Sequence, residues 1–363
     1  MALLFFSNCS SFFVKTWNPP SKVGDIQKIR VLIDTTGSKI VLKTSGIFTV
    51  YDINNLVIKK GIDSIIIDPG SLKARIRVVS EKDFFVYKGN QYRGQFVLFP
   101  AANDKAEIID VVNLEDYLYS VVPSEMPASW PLEALKAQAV CARTYAVKEI
   151  LHNRKNHYDI KSDTSSQVYS GIAREHDKSG QAVNETKGIL ATYDGEPIQS
   201  FFHSNSGGIT EKPENLWGSK IPYLKSVKSP YCKEGKNYAW KFVLPQASAD
   251  SKFARYAVGT VQNIQVLGRT SSDRVDLIEI TGSRKTVRIK GKEFRDIVGA
   301  GTVKSLRFGI KKDLNGFYVK GLGFGHGIGL SQWGSYSMAK DDQDFKNILK
   351  FYFKGISLAR IGN

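Results

Sequence analysis

The chain has 363 residues, of which 42% are hydrophobic and 24% charged, so it can bury one elaborated core or two to three modest ones, and disorder is not its default state. Its 51 Lys and Arg against 35 Asp and Glu give a formal net charge of +16. That excess points to a polyanionic partner, and nucleic acid, anionic lipid and acidic cell wall all satisfy it, because each rewards basic groups.

No run approaches the roughly 18 apolar residues of a membrane-spanning helix. Residues 1–25 read as an anchor and tether, with Pro19, Pro20 and Ser21 near its end. Within it, residues 2–6 are wholly apolar and Cys9 follows soon after. One reading is the remnant of a lipoprotein signal with Cys9 lipidated. Against it stand the shortness of the apolar run and the lack of a preceding basic residue. The other two cysteines, Cys141 and Cys232, have no metal-ligand spacing to a Cys or His. Cys141 reads as a core residue of a helix, and nothing in the sequence supports a bridge between the two.

Residues 26–93 form a β-rich N-terminal portion. Short β-branched and aromatic runs at 29–33, 39–43, 48–51, 64–67, 74–79 and 84–87 are separated by Gly, Asp, Asn and Pro, and a further run at 94–99 carries the pattern towards residue 112. Asn113, with an acid three residues on at Asp116, then predicts a helix to about residue 122, stopped by Pro123. After the turn Pro123-Ser-Glu-Met-Pro127, a second helix is expected from about 131 to 150, with Leu135, Ala139, Ala142, Ala146 and Ile150 on one stripe.

Residues 189–193, the pair Asp194-Gly195 and residues 198–203 predict a hairpin with a primed turn. Residues 240–320 return to β alternation, clearest at 275–280 and 286–289, with a helix at about 291–299, and a last helix is expected at about 344–353. Between them, Gly321-Leu-Gly-Phe-Gly-His-Gly-Ile-Gly-Leu330 places glycine at every second position. Read as extended chain, all its glycines would face one side and allow close backbone approach. It is neither a dinucleotide fingerprint nor a P-loop. Together these elements predict an α+β fold.

Glu125 stands between two prolines, with Met126 and Trp130 close enough in sequence to dehydrate it. Such surroundings raise a carboxylic acid's pKa and suit it to general acid work. A solvated loop glutamate is the competing reading, and on spacing alone the better one. Lys136 and Arg143, seven apart on a helix face, read either as ligand-orienting cations or as a solvated face. His203 and His326, in Gly/Ser-rich turns, read either as substrate contacts or as hydrogen-bonded structural residues. Ser204 and Ser206 lack the Gly-x-Ser-x-Gly elbow of a serine hydrolase. Nucleic-acid binding has the charge in its favour but no zinc finger, helix-turn-helix or RNP-like stretch.

The run from Val121 to Ala146, containing Pro-Ser-Glu-Met-Pro, Lys-Ala-Gln-Ala and Ala-Arg-Thr-Tyr, closely resembles the signature of the sporulation stage II protein D (SpoIID) and amidase-enhancer family. Three further motifs follow in the family's order: Ser166-Gln-Val-Tyr169, His203-Ser-Asn-Ser-Gly-Gly208 through Trp217-Gly218, and Gly325-His-Gly-Ile-Gly-Leu-Ser-Gln-Trp-Gly334. The similarity covers residues 94–363. The resemblance divides that span into a catalytic-motif part (94–239), a β-rich insert (240–320) and a final part with the Gly-His-Gly motif and C-terminal helix (321–363).

The resemblance implies an extracytoplasmic lytic transglycosylase that cleaves the MurNAc-GlcNAc bond of denuded peptidoglycan strands to leave 1,6-anhydromuramyl ends. Its catalytic acid/base maps to Glu125. Lys136, Gln138, Arg143 and Tyr145 would line the glycan cleft, joined by Gln167, Tyr169, His203, Ser204, Ser206, His326 and Gln332. Some members carry a His/Cys zinc site where Thr-His-Cys-Gln-Val-Tyr is common. Here the segment reads Thr164-Ser-Ser-Gln-Val-Tyr169, so no metal and no cofactor are expected. The expected partners are peptidoglycan strands and a cell-wall amidase, with membrane anchoring through Cys9 and no nucleic acid. The rival from a different class is a non-catalytic, peptidoglycan-binding enhancer of an amidase.

Overall fold

A computed structural model describes residues 23–361; the expected tether and Cys9 lie outside the described residues. The fold is α+β. Nine strands make the largest sheet: β1 (Lys28–Thr36), β2 (Ile40–Tyr51), β3 (Val57–Ile67), β4 (Ile76–Ser80), β5 (Phe84–Tyr87), β6 (Asn90–Arg93), β7 (Gln95–Ala101), β8 (Lys105–Asn113) and β9 (Ile160–Lys161). Their order is β6-β5-β2-β4-β7-β8-β1-β9, with β3 paired to β2. The sheet runs without interruption across residue 94, so β7 and β8 complete what the N-terminal strands begin. In β2 the alternation puts Ile40 and Leu42 inside and Lys43 outside, as a half-buried strand requires.

Helix α1 (Leu114–Glu125) follows β8 directly. Its cap is the expected Asn113, whose Oδ1 accepts the Glu115 N–H at 2.9 Å. Contrary to expectation, Pro123 does not stop it. The Met126 N–H still reaches the Val122 carbonyl at 3.0 Å and Ser124 Oγ donates to the Ser120 carbonyl at 2.8 Å, so the last turn holds around the proline. Glu125 is therefore the last residue of a helix and not a residue of a free turn.

Helix α2 (Leu132–His152) is the axis of the molecule. The expected stripe of Leu135, Ala139, Ala142, Ala146 and Ile150 is buried against the large sheet and α1. Ala137, Val140 and Cys141 are buried on another side, in a second core with Ile328, Leu330 and the last helices. Small side chains on both flanks let two cores close on one helix, which explains its alanine content.

Around α2 lie α3 (Asp177–Glu185), α4 (Pro213–Trp217), α7 (Gln332–Lys340) and α8 (Phe345–Tyr352). The expected hairpin forms at Ile189–Tyr193 with Asp194 and Gly195 both at positive φ, as its primed turn requires. Its return strand is only Glu196–Pro197. Beyond Pro197, which has no N–H to offer a ladder, the chain leaves to cover α2, and Phe202–His203 pairs in parallel with Leu330–Ser331.

Residues 239–322 gather around a core of their own. Ala239–Pro245, Gly316–Leu322 and Phe308–Asp313 form one three-stranded sheet. Val261–Arg269, Val275–Gly282 and Thr286–Lys290 form another, with α5 (Gln246–Phe253) and α6 (Gly291–Val298) beside them.

The alternating glycines are not an extended run. Only Gly321 and Leu322 end a strand, and Gly323, Gly325, Gly327 and Gly329 all have positive φ. A Cβ at Gly323 would meet the Asn205 carbonyl at 2.7 Å, at Gly325 the His203 Cβ at 2.8 Å, and at Gly329 the Phe201 carbonyl at 2.1 Å. The loop thus winds against residues 201–205 with glycine wherever backbone meets backbone. Close approach was the right expectation and the extended geometry the wrong one.

Candidate active site

The end of α1, the segment before Tyr169, the 201–203 strand and the glycine loop meet around a cleft of about 360 Å³. Among the described residues Glu125 is the one carboxylate that lines it. Its backbone is clamped from below: Gln332 Nε2, on the first residue of α7, donates to the Glu125 carbonyl at 3.0 Å. The side chain is half-buried, and Oε1 accepts the Val168 N–H at 3.3 Å. Burial raises its pKa above the ordinary carboxylate range, with the Val168 bond pulling the other way. Met126 and Trp130 do not supply that burial. Met126 turns into the main core and Trp130 packs, tilted by 59°, against both Trp333 and Tyr336. Val168, Phe201 and Phe202 wall the cleft instead.

The segment opposite Glu125 is held by buried anchors. Gln167 accepts the Tyr117 hydroxyl at 3.1 Å and donates to the Ala142 carbonyl at 3.4 Å. Tyr169 donates to the buried Asp110 at 2.7 Å. Just before these anchors Thr164, Ser165 and Ser166 place hydroxyls on the rim. Tyr145 also lines the cleft, its phenol pushed up to about 12, mainly by burial, so it remains a proton donor at neutral pH.

His326 faces the cleft with both ring nitrogens already used. Nε2 bonds the Phe202 carbonyl at 2.9 Å, and Nδ1 accepts the Ile328 N–H at 3.0 Å. The tautomer with a proton on Nε2 alone satisfies both bonds. Burial, with Arg274 and Arg295 adding to it, pulls its pKa down to about 4. It is a neutral, fixed ring and not a proton shuttle. Trp217 lies 5.6 Å from it and 4.7 Å from Phe201, making an aromatic wall whose indole is 43% exposed. Trp217, Phe201 and Phe202 were not among the expected site residues. Trp217 lies in the quoted motif, and an exposed aromatic there was the available signal.

Other expected cleft residues are elsewhere. Arg143 is wholly buried on another side of α2, paired through two nitrogens with Glu115 at 2.7 and 2.8 Å. Lys136 bridges Glu133 and Glu185, each at 2.6 Å. Gln138 is buried beneath the cleft, within 3.4 Å of Gln332. His203 is buried behind His326, with ring centres 5.4 Å apart, and burial holds it neutral. Ser206 contacts the Cys232 thiol at 2.9 Å, and the Ser204 carbonyl accepts the Trp333 N–H. These residues build the site without facing it. Helical spacing put Lys136 and Arg143 on one face of α2, and both meet α3 or its end there, but spacing does not reveal how much of α2 is buried.

The chemistry of the rim does not fit zinc. Thr164, Ser165 and Ser166 offer neutral hydroxyls, the nearest imidazole has both nitrogens engaged, and no third ligand of the Cys, His or carboxylate type joins Glu125 among the described residues.

Residues 102–193, which carry α1, α2 and the cleft segment, match the family model described as Stage II sporulation protein. Stage II sporulation protein D of Bacillus subtilis (strain 168) is 33% identical over 278 residues, 72% of this chain and 79% of its own length. The chain belongs to the stage II sporulation protein D family. An uncharacterised protein of Brachyspira hyodysenteriae is 35% identical over 289 residues, 77% of this chain and 76% of its length. The amidase enhancer of Bacillus subtilis is 30% identical over 294 residues, and the match spans 66% of this chain and 40% of that protein. Residues 228–329 match a second model, a domain of unknown function, which coincides with the separate core of the insert.

Proposed function

We propose that the protein acts outside the cytoplasm on bacterial cell-wall peptidoglycan, as a lytic transglycosylase with Glu125 as acid and base. The observation that carries this reading is a single carboxylate of raised pKa in the aromatic-walled cleft, with no second carboxylate lining it among the described residues. Paired-acid glycosidases need two, one to protonate the leaving oxygen and one to activate water or attack. A lone acid suffices when the nucleophile belongs to the substrate. Glu125 then protonates the glycosidic oxygen between MurNAc and GlcNAc. Its carboxylate next takes the proton of the muramyl C6 hydroxyl as that oxygen attacks C1, leaving a 1,6-anhydro end. Trp217 and Phe201 supply an apolar wall for sugar rings, and Tyr145 a donor.

Purified protein incubated with denuded strands is expected to give anhydro ends, read by mass spectrometry, and not hydrolysed reducing ends. The relative named as an amidase enhancer supports a second reading, a non-catalytic activator. That reading predicts no new ends from the protein alone, and faster amidase turnover when it is added.

A further inference from the structure

A second cavity, about twice the volume of the Glu125 cleft, lies on the insert. It is a groove of about 740 Å³ on the outer face of the insert sheet formed by Ala239–Pro245, Gly316–Leu322 and Phe308–Asp313. Across this face Lys241 is paired directly with Lys320, and Lys320 faces Gly309 on its other side. Like charges directly opposite one another on a sheet are destabilising. Neither strand neighbour offers either lysine a carboxylate. The one carboxylate of the groove, Asp273, is already shared between Arg269 at 3.4 Å and Arg307 at 3.2 Å. Four cations therefore surround one acid. By contrast no Lys or Arg among the described residues lines the Glu125 cleft. An acidic substrate held there would have its charge met elsewhere on the molecule.

The groove and the site are joined through the chain. Its last residue, Leu322, leads into the glycine loop, and His326 in the cleft follows four residues later, at most roughly 14 Å of extended chain away. Lysine stems, Leu322 and Tyr318 give the groove apolar flanks, and at Gly309, opposite Lys320, an added Cβ would meet nothing within 4 Å, so the floor there is open. Such an amphipathic, basic trough suits sugar rings that carry carboxylates.

We propose that this groove is a second binding site, which holds an acidic saccharide chain, the length of glycan strand beyond the Glu125 cleft, through its lactyl carboxylates. The proposal rests on the glycan reading above. Its probes are denuded glycan strands, the same strands with their carboxylates methyl-esterified, and single-stranded DNA, each in a direct binding assay. Wild type is expected to bind the acidic strands about tenfold tighter than the esterified ones, with a preference that shrinks as salt rises. Lys241→Gln/Lys320→Gln and Lys320→Glu are expected to lose that preference.

Lys320→Glu is also expected to melt no lower than wild type, because a carboxylate there would pair with Lys241, so lost binding is not lost folding. Unchanged preference in the variants, equal binding of esterified strands, tighter binding of DNA, or no glycan binding by wild type would each overturn the proposal. The two readings fail separately. Groove-dependent binding without anhydro products removes only the catalytic reading, and anhydro products without groove-dependent binding remove only this one.

Discussion

Glu125 owes its character to what surrounds it and not to the prolines that flank it in sequence. A carboxyl whose pKa is raised in the folded state stabilises the fold while protonated and loses that contribution as pH rises through the folded value. Glu125→Gln is therefore expected to melt at or above wild type at neutral pH, with the difference closing below the ordinary carboxylate range, as differential scanning fluorimetry would show. The same shift sets a pH profile. Activity that needs protonated Glu125 should fall on the alkaline side at a pH above the unperturbed carboxylate value, and the profile should carry no histidine ionisation between pH 5 and 8, since His326 titrates near 4. Arg143 was read as a glycan contact and is instead half of a buried ion pair. Arg143→Met should cost about 3–5 kcal/mol in denaturant unfolding by stranding Glu115, because removing one partner of a buried pair leaves an uncompensated charge. Sequence showed which residues cluster in motifs. It did not show which of them face solvent, because α2 is buried on several sides and its polar residues point into ion pairs.

At the scale of elements, the sequence was clearest where one periodicity ruled. The cap at Asn113, the alanine stripe of α2, the primed turn at Asp194-Gly195 and the last helix stand where they were expected. Two features misled. Pro123 reads as a stop, yet a proline in the last turn forfeits only the bond its N–H would give the Tyr119 carbonyl, and the Met126 N–H still reaches the Val122 carbonyl beyond it. The alternating glycines read as period two, yet a chain of left-handed glycines repeats in the same way, and only tertiary contacts separate the two. The short helices α3, α4, α5 and α7 were missed, their apolar faces being too brief to show a period. Gly327 gives the sharpest test of the loop. It has φ +83°, and a Cβ there would fall 2.1 Å from the buried Arg274 guanidinium. Gly327→Ala is expected to destabilise by about 1–3 kcal/mol from backbone conformation alone, more if Arg274 is displaced, measured by chemical unfolding.

At the scale of the whole molecule, α2 joins a sheet-based core to the core that carries the glycine loop, so the acid comes from one and His326 from the other. The insert adds a third core that the loop connects to the cleft. The net charge of +16 has no counterpart among the described residues lining the cleft and a clear one on the insert, as the proposed division between chemistry and binding requires. The central claim is that this arrangement cleaves glycan with one carboxylate. Wild type and Glu125→Gln should be digested side by side with denuded strands and their product ends compared by mass spectrometry. The account predicts 1,6-anhydromuramyl ends from wild type and none above background from Glu125→Gln. Anhydro ends from neither, or in equal amounts from both, would contradict it.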